Sequence, residues 1–156
     1  MTSFFNLDLL IKIVTAFLSS VGFAIVLRVA PRHVIVGSIG GAVTYFIYYA
    51  ILYIGLGYFA AGFISTAFAA LYAELLARVR RAPAIVFLLP GVIPTVPGGD
   101  LYRGMRDLIS GNMPGALSNF GIALNIALGI AGGIVVISIA FGIFNDAKKL
   151  RSKSKQ

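Results

Sequence analysis

The residues with the clearest chemical potential lie in one short segment, 90–103, which reads PGVIPTVPGGDLYR. Proline removes backbone donors and glycine removes side-chain bulk, so a turn here exposes carbonyl groups and helix ends. A helix that starts near Asp100 would direct its positive end at an anion, and Arg103 could hold a carboxylate through two parallel hydrogen bonds. The segment predicts a carboxylate site built from Pro94, Pro97, Gly98, Asp100, Tyr102 and Arg103. An ordinary loop, with Arg103 paired to Asp107, is the alternative interpretation.

A second candidate is Glu74, an acidic residue well inside a long apolar run. A carboxylate buried there could take up and release the protons of a coupled transporter. Arg78 follows one helical turn later, so an ion pair at the membrane interface explains the same two residues. Asp8 and Lys12 are also four residues apart and opposite in charge, and there we expect an interfacial pair.

Several kinds of chemistry lack the residues they need. The sequence contains no Gly-x-x-x-x-Gly-Lys-Ser/Thr phosphate loop, no His-Glu-x-x-His zinc motif and no Gly-x-Ser-x-Gly nucleophile elbow. The single histidine, His33, follows Arg32 in a basic turn and is interpreted as an interfacial residue. The absence of cysteine excludes thiolate metal sites and disulfides. We therefore expect neither an enzyme nor a bound cofactor.

The elements that position these residues are predicted by composition. Of the 156 residues, 59% are hydrophobic and 12% are charged, whereas a soluble domain is about 25% charged. Since about 20 apolar residues cross a bilayer, the runs 9–27, 34–54, 58–77 and 115–144 are predicted spans. The run 84–96, with a continuation to 110, is too short and too rich in proline to be a plain helix, so we expect it to line a cavity.

The predicted fold is therefore an all-α polytopic membrane protein with about five transmembrane helices, of which the fourth is broken. The membrane domain covers residues 1–144, and residues 145–156 form a basic cytoplasmic tail. If the broken segment crosses the bilayer, the basic turns at 28–32 and 78–81 lie on the same side as this tail, which the positive-inside rule makes cytoplasmic. The N-terminus is then outside. A re-entrant segment would give four spans and would place the tail opposite the turns.

Small and polar residues inside the spans predict helix packing. Glycines four residues apart let helices approach closely, within the chain or between subunits: Gly37 with Gly41, and Gly129 with Gly133. Asn119 and Asn125 need partners, which a neighbouring helix or a substrate could supply. Tyr45 is deep enough in the second span to face a polar path.

The formal net charge of +8 is concentrated in the turns and the tail, so we expect a lipid bilayer and no nucleic acid as partner.

Three motifs together are typical of a known family. They are Val21-Gly22-Phe23-Ala24, Gly37-Ser38-Ile39-Gly40, and Val92-Ile93-Pro94-x-x-Pro97-Gly98-x-x-x-Tyr102. With them the chain resembles the threonine/serine exporter family, in its small-subunit type, which forms the C-terminal half of full-length exporters. The resemblance implies a proton-coupled exporter in the bacterial cytoplasmic membrane that acts on threonine and serine or, in two-subunit relatives, on dicarboxylates such as succinate. It also implies a larger membrane subunit as partner, with a homo-oligomer as the alternative.

Two other functions remain open on the sequence alone. A non-transporting membrane scaffold would need the glycine-packed helices but would tolerate the loss of Tyr102 and Arg103. A passive channel would carry flux without responding to a proton gradient.

Overall fold

The protein is described by a computed structural model that covers residues 7–153, with side chains described as far as residue 144. Within this range the chain forms six helices and one short 3₁₀ turn, and it contains no strand. The elements are α1 Leu7–Val26, α2 Pro31–Ile54, α3 Tyr58–Arg80, α4 Ile85–Val92, the 3₁₀ turn Ile93–Thr95, α5 Gly98–Ile109 and α6 Met113–Lys153. The predicted all-α class is confirmed. Residues 1–6 of the predicted membrane domain and 154–156 of the predicted tail lie outside the described residues.

Several helix ends lie a few residues beyond the apolar runs that predicted them. α2 begins at Pro31, whose fixed φ and missing N–H suit the first helical position. α3 continues through Arg80 before Arg81 ends it with a φ of 50°. Basic side chains are favourable in the last turn of a helix, where they complement its negative end. A helix can therefore continue past the end of its apolar run, through the basic residues that follow it.

The helices are long enough to cross a membrane. Among the described residues, four are each sufficiently long and apolar: α1, α2, α3 and the part of α6 from Met113 to Phe144. Ile85–Thr95 and Gly98–Ile109 form a pair bent by 45°, which makes a fifth span if its two parts are counted together. The polytopic membrane fold with a broken fourth segment is thus confirmed.

α3 and α6 run in the same direction. The Thr66 hydroxyl of α3 lies 3.3 Å from the Ile130 carbonyl of α6, and the Arg78 guanidinium lies 4.8 Å from the Phe141 ring centroid. Later positions in α3 therefore meet later positions in α6. Because the two helices are parallel, α4, the 3₁₀ turn and α5 must return the chain to the end at which α3 begins. A broken segment that runs the length of the bundle fits a fifth span and does not fit a re-entrant loop.

The core lies around α2 and the broken segment. α2 packs against α1, α3 and α4, and α4 also packs against α1 and α3. Tyr72 of α3 crosses Gly40 of α2, where a Cβ would collide with its ring, and the Tyr72 hydroxyl donates to the Val36 carbonyl at 2.8 Å. Phe87 and Pro90 of α4 are fully buried. The broken segment is thus held inside the bundle on three sides.

α5 and α6 form a hairpin that extends past α3. Gly104 of α5 packs against the Phe120 ring, and the Asp107 carboxylate accepts a hydrogen bond of 3.0 Å from the Asn119 amide. Phe59, near the start of α3, contacts Gly129 of α6. Ile126 of α6 already lies against Gly62 of α3, so about 13 residues of α6, or about 20 Å at 1.5 Å per residue, precede its contact with α3.

Candidate functional site

The break in the fourth segment is fixed by two prolines that are four residues apart. In a helix the Pro90 carbonyl would accept the N–H of residue 94, but Pro94 has none. The Ser20 hydroxyl of α1 donates to this carbonyl instead, at 2.8 Å, and both groups are buried. Gly41 of α2 faces the same point, where a Cβ would come within 2.8 Å of the Pro90 oxygen and would collide with Ser20. α1, α2 and α4 therefore meet at a break whose exposed carbonyl is satisfied.

Next to this point lies a cleft between α1, α2 and the 3₁₀ turn, with a volume of about 240 Å³. We call it the Lys12 cleft, and it is lined by Lys12, Thr15, Ala16, Ser19, Tyr45 and Pro94. Tyr45 follows the start of α2 by 14 residues, or about 21 Å of a helix 24 residues long. The cleft therefore lies in the half of the bundle away from the basic turns.

The Lys12 cleft is polar in an otherwise apolar bundle. The Nζ atom of Lys12 lies 4.8 Å from the centroid of the Tyr49 ring, a cation–π arrangement. The Thr15 hydroxyl donates to the carbonyls of Ile11 and Lys12, each at 2.9 Å, and its oxygen keeps acceptor capacity. A charged side chain inside a membrane helix is costly and marks a functional site by default. The cleft thus combines one ammonium group with hydroxyl-bearing side chains.

The structure distributes the predicted carboxylate site over two places. Pro94 lines the Lys12 cleft. Asp100 and Arg103 lie on α5, where they form an ion pair of 2.7 Å, and the Arg103 side chain is 53% exposed. Tyr102 is 71% exposed and lies about 100° around α5 from Arg103. The cleft and the α5 residues thus form neighbouring surfaces, one on each side of the break.

Two further predicted residues lie where the break turns into α5. Pro97 is buried and precedes the first turn of α5, whereas Gly98 begins the helix and is exposed. The loop interpretation expected Arg103 to pair with Asp107. Instead, Arg103 pairs with Asp100, and the Asp107 carboxylate accepts hydrogen bonds from Arg106 at 3.2 Å and from Asn119 at 3.0 Å. Asp107 therefore joins α5 to α6.

Glu74 lies far from the Lys12 cleft along the bundle axis. It is half-buried in α3, 16 residues and about 24 Å after the start of that helix. The Arg78 guanidinium, one turn further on, lies against the Phe141 ring of α6. Glu74 is thus near the end of the bundle that carries the basic turns.

The four predicted packing glycines differ in how closely their neighbours approach. A Cβ at Gly129 or Gly133 would collide with the backbone of α3, so both lie in the α3–α6 contact of this chain. Gly41 packs against α1 and α4 as described above. A Cβ at Gly37 would be in ordinary contact with Phe87 and Pro90, each at 3.9 Å.

Sequence reasoning missed part of the cleft, although a signal was present. Lys12, Thr15 and Ser19 are spaced by three and four residues, which places them on one face of α1. The sequence predicts for Lys12 only an interfacial pair with Asp8. His33, interpreted as interfacial, is buried against Phe87 with a ring-centroid distance of 5.3 Å.

The comparisons with known proteins agree with this architecture. The family model described as Threonine/Serine exporter, ThrE, matches residues 12–140, a range that begins at Lys12 and includes the cleft and the whole broken segment. The searches of curated proteins and of solved structures found no match. The match covers most of an all-helical membrane bundle whose broken segment borders a polar cleft, and the chain therefore belongs to the threonine/serine exporter family.

Proposed function

We propose that this chain is one subunit of a proton-coupled secondary exporter of threonine, serine or a small dicarboxylate such as succinate. In this proposal the Lys12 cleft forms part of the substrate path. The supporting observation is that the Lys12 ammonium, three hydroxyl-bearing side chains and a helix break meet in one cleft. The family indicates the class of transport, and the cleft supplies groups that recognise a carboxylate.

The lining of the cleft suits a small polar metabolite. The Lys12 ammonium is a compact charge with three donors that can attract a carboxylate. The Thr15 hydroxyl, which donates to its own helix, can accept a hydrogen bond from the amino or hydroxyl group of a substrate, and the hydroxyls of Ser19 and Tyr45 can donate or accept one. Drug-sized ligands occupy pockets of roughly 300–1,000 Å³, so the cleft of about 240 Å³ suits a smaller molecule.

The break provides a place where access to the cleft can change. α5 is bent by 45° from α4 and the 3₁₀ turn, and Pro97 separates the two parts. Transporters commonly place a substrate at a broken helix and move one part of the bundle against another. In our proposal α4 stays anchored through Ser20, whereas α5 tilts and opens or closes the cleft beside Pro94.

Arg103 is proposed as a second carboxylate contact. Its guanidinium is held by Asp100 at the start of α5, close to the break. A substrate carboxylate would replace Asp100 as its partner, and a planar guanidinium suits that exchange. Arg106 provides a matched control because it lies one turn further along α5, is similarly exposed and pairs with Asp107.

The partner is proposed to be a larger membrane subunit of the same family that packs on the α5–α6 hairpin. Apolar side chains on the outer face of this hairpin are exposed and include Leu101, Met105, Leu108, Leu117 and Leu124. Within the described chain α5 makes its main contact with α6. A second subunit would cover this face and would also enclose the Lys12 cleft, which five short spans cannot surround alone. A second copy of this chain is the alternative occupant.

Glu74 remains the candidate for proton coupling. It is half-buried in α3 near the basic end of the bundle, where a carboxylate could exchange protons with water on that side. The substitution Glu74→Gln keeps the shape of the side chain and removes its titration. We expect it to make export independent of the proton gradient.

Export of labelled threonine, serine and succinate tests the proposal in cells that express the chain with and without the larger subunit. We expect export to need both chains and to fall at least tenfold in Lys12→Met, with a smaller loss in Thr15→Val. Thr44→Val is the matched control, because its hydroxyl also bonds to the carbonyl four residues back, at 2.8 Å, but does not line the cleft.

The same assay compares Arg103→Ala with Arg106→Ala at equal amounts in the membrane. Loss of export in Arg103→Ala alone supports the carboxylate contact. If none of the three substrates moves while the two subunits still copurify, the chain acts as a scaffold and the proposal is wrong. Flux that ignores the proton gradient in the unchanged protein would instead indicate a channel.

A further inference from the structure

A second pocket lies at the opposite end of the bundle from the Lys12 cleft. It is formed where the α1–α2 turn approaches the α3–α4 turn, and its volume is about 360 Å³. We call it the basic pocket. It is lined by basic side chains of the two turns and by apolar residues of both turns and of α4. The proposed transport mechanism uses none of these residues.

The polar part of the basic pocket carries one sign of charge. Three arginines line it, namely Arg28, Arg32 and Arg81, and no acidic residue is among the described residues around it. Arg80, the neighbour of Arg81, also acts electrostatically on the His33 ring. Such a concentration of positive charge without carboxylates favours an anionic ligand.

His33 positions one of these arginines. It is 4% exposed, and its Nε2 accepts a hydrogen bond of 3.1 Å from the Nε of Arg32. A ring nitrogen that accepts carries no proton, so the proton of the neutral ring is on Nδ1. Nδ1 is buried and has no partner among the described residues. Because Nδ1 is closed off from the pocket, a ligand there does not reach it, and His33 contributes instead by holding the Arg32 side chain through Nε2.

The backbone of both turns also favours an anion. Arg28 and Arg81 have φ values of 55° and 50°, a left-handed conformation that favours glycine. Arginine at both positions indicates that the side chains have a use that offsets the local strain. α2 begins at this pocket after Ala30, and its first turn has no side-chain cap. Pro31 has no N–H and the His33 N–H donates to the Ala30 carbonyl at 2.8 Å, so this turn contributes mainly the positive end of the helix dipole.

The remaining lining is apolar and exposed. Leu27, Ile85 and Leu89 are 44%, 52% and 41% exposed. Leu27 directly follows α1, and Ile85 and Leu89 lie on α4, the first part of the broken span. A phosphate group could come from a lipid headgroup or from a free phosphate, but only a lipid also brings acyl chains to cover these side chains. Basic pockets between membrane helices are known to hold anionic headgroups.

We infer that the basic pocket binds the phosphate group of an anionic phospholipid. Arg28, Arg32 and Arg81 hold the phosphate oxygens, and His33 positions the Arg32 side chain through Nε2. The acyl chains lie against Leu27, Ile85 and Leu89. The bound lipid joins the α1–α2 turn to the start of α4, the helix that leads to the break. This inference does not depend on the proposed substrate.

Thermal unfolding of the purified full-length chain in neutral detergent tests the inference. Phosphatidylglycerol is added in one arm, phosphatidylcholine in a second and inorganic phosphate in a third. We expect phosphatidylglycerol to raise the unfolding temperature by several degrees and the other two to have little effect. Binding, followed by native mass spectrometry, is expected to weaken about thirtyfold in the double variant Arg28→Gly, Arg81→Gly.

The glycine substitutions separate binding from folding. Glycine is favoured at both positive φ angles, so the double variant should unfold at the same or a higher temperature than the parent without lipid. His33→Phe preserves the ring packing against Phe87 but removes the acceptor that holds Arg32, so it is expected to weaken binding as well. Arg106→Ala removes one charge at the other end of the bundle and should bind as the parent does.

Three results would overturn the inference. Equal stabilisation by phosphatidylcholine would mean that the headgroup is not recognised. The same stabilisation by inorganic phosphate would assign the pocket to a soluble ion. Unchanged phosphatidylglycerol binding in the double variant would show that the lipid is held elsewhere, with the basic tail as the first place to look.

Discussion

The Ser20 hydroxyl supports the broken segment through a single hydrogen bond. The Pro90 carbonyl loses its helical partner because Pro94 has no N–H, and Ser20 is the group that replaces it. A buried acceptor left unsatisfied costs about 1–3 kcal/mol. The side chain that lets irregular backbone exist inside the bundle therefore belongs to α1, 70 residues earlier in the chain.

Replacing Ser20 should destabilise the protein through this carbonyl. We expect Ser20→Ala to lower the free energy of unfolding by about 1–3 kcal/mol, measured by denaturant unfolding in detergent. Ser65→Ala is the matched control, because Ser65 is also fully buried but bonds to carbonyls of its own helix. We expect that change to cost less than about 1 kcal/mol. Equal losses in the two variants would show that Ser20 contributes by packing alone.

At this scale the sequence indicated the break at Pro94. Its loop interpretation paired Arg103 with Asp107, whereas the structure pairs Arg103 with Asp100, and Lys12 and Ser20 were missed. Proline acts on its own backbone, so its effect is visible in the sequence. The role of Lys12 depends on which face of α1 meets the break, and that of Ser20 on a carbonyl in another helix. Such pairings follow from tertiary packing and have no local signature.

At the scale of the helices, two helices come closest where a glycine of one packs directly against the backbone of the other. At Gly133 of α6 a Cβ would lie within 2.8 Å of the Ala67 nitrogen of α3. At Gly37 of α2 the nearest atoms would be 3.9 Å away, which is an ordinary contact. The two glycines have the same sequence motif, yet only Gly133 has no room for a side chain. A Gly-x-x-x-Gly pattern predicts a packed face without giving the distance to the neighbour.

Alanine at these two glycines should therefore have opposite effects. We expect Gly133→Ala to destabilise the chain by about 1–3 kcal/mol, because α3 and α6 would have to separate. Gly37→Ala should be neutral or stabilising by up to about 1 kcal/mol, because alanine is the better helix former. Unfolding of both variants in detergent measures the difference. A large loss in Gly37→Ala would mean that α2 and α4 lie closer than the structure places them.

The length of apolar runs predicted the existence and order of the helices well. It did not predict their ends. α2 begins at Pro31, a helix-initiating residue before the apolar run, and α3 ends at Arg80, a charged residue after its run. It also did not predict that α5 and α6 pack as a hairpin. That contact depends on Asp107 and Asn119, which form a hydrogen bond between two helices.

At the scale of the whole molecule, the direction in which each helix crosses the bundle connects the fold to transport. The parallel contact of α3 with α6 requires the broken segment to cross the bundle, which places the α2–α3 and α5–α6 links at one end. The basic turns lie at the other end. From the positive-inside rule we expect that end to be cytoplasmic. The Lys12 cleft would then lie in the outer half of the bilayer and the basic pocket at its inner surface.

Single cysteines can test this arrangement, because the natural chain has none. The sites are Ala30→Cys between α1 and α2, Leu56→Cys between α2 and α3, and Ser110→Cys between α5 and α6, all exposed in the structure. We expect a membrane-impermeant maleimide to label residues 56 and 110 in intact cells, and residue 30 only after permeabilisation. Each Cys variant is first shown to reach the membrane at the level of the parent.

The pattern of labelling distinguishes orientation from topology. If residues 30 and 110 are accessible from the same side of the membrane and residue 56 from the other side, the broken segment is re-entrant. The parallel packing of α3 and α6 is then wrong. If residue 30 alone reacts in intact cells, the five crossings stand but the orientation is reversed, and the basic turns do not follow the positive-inside rule. The expected pattern would place Lys12 towards the outer surface, where an exporter releases its substrate.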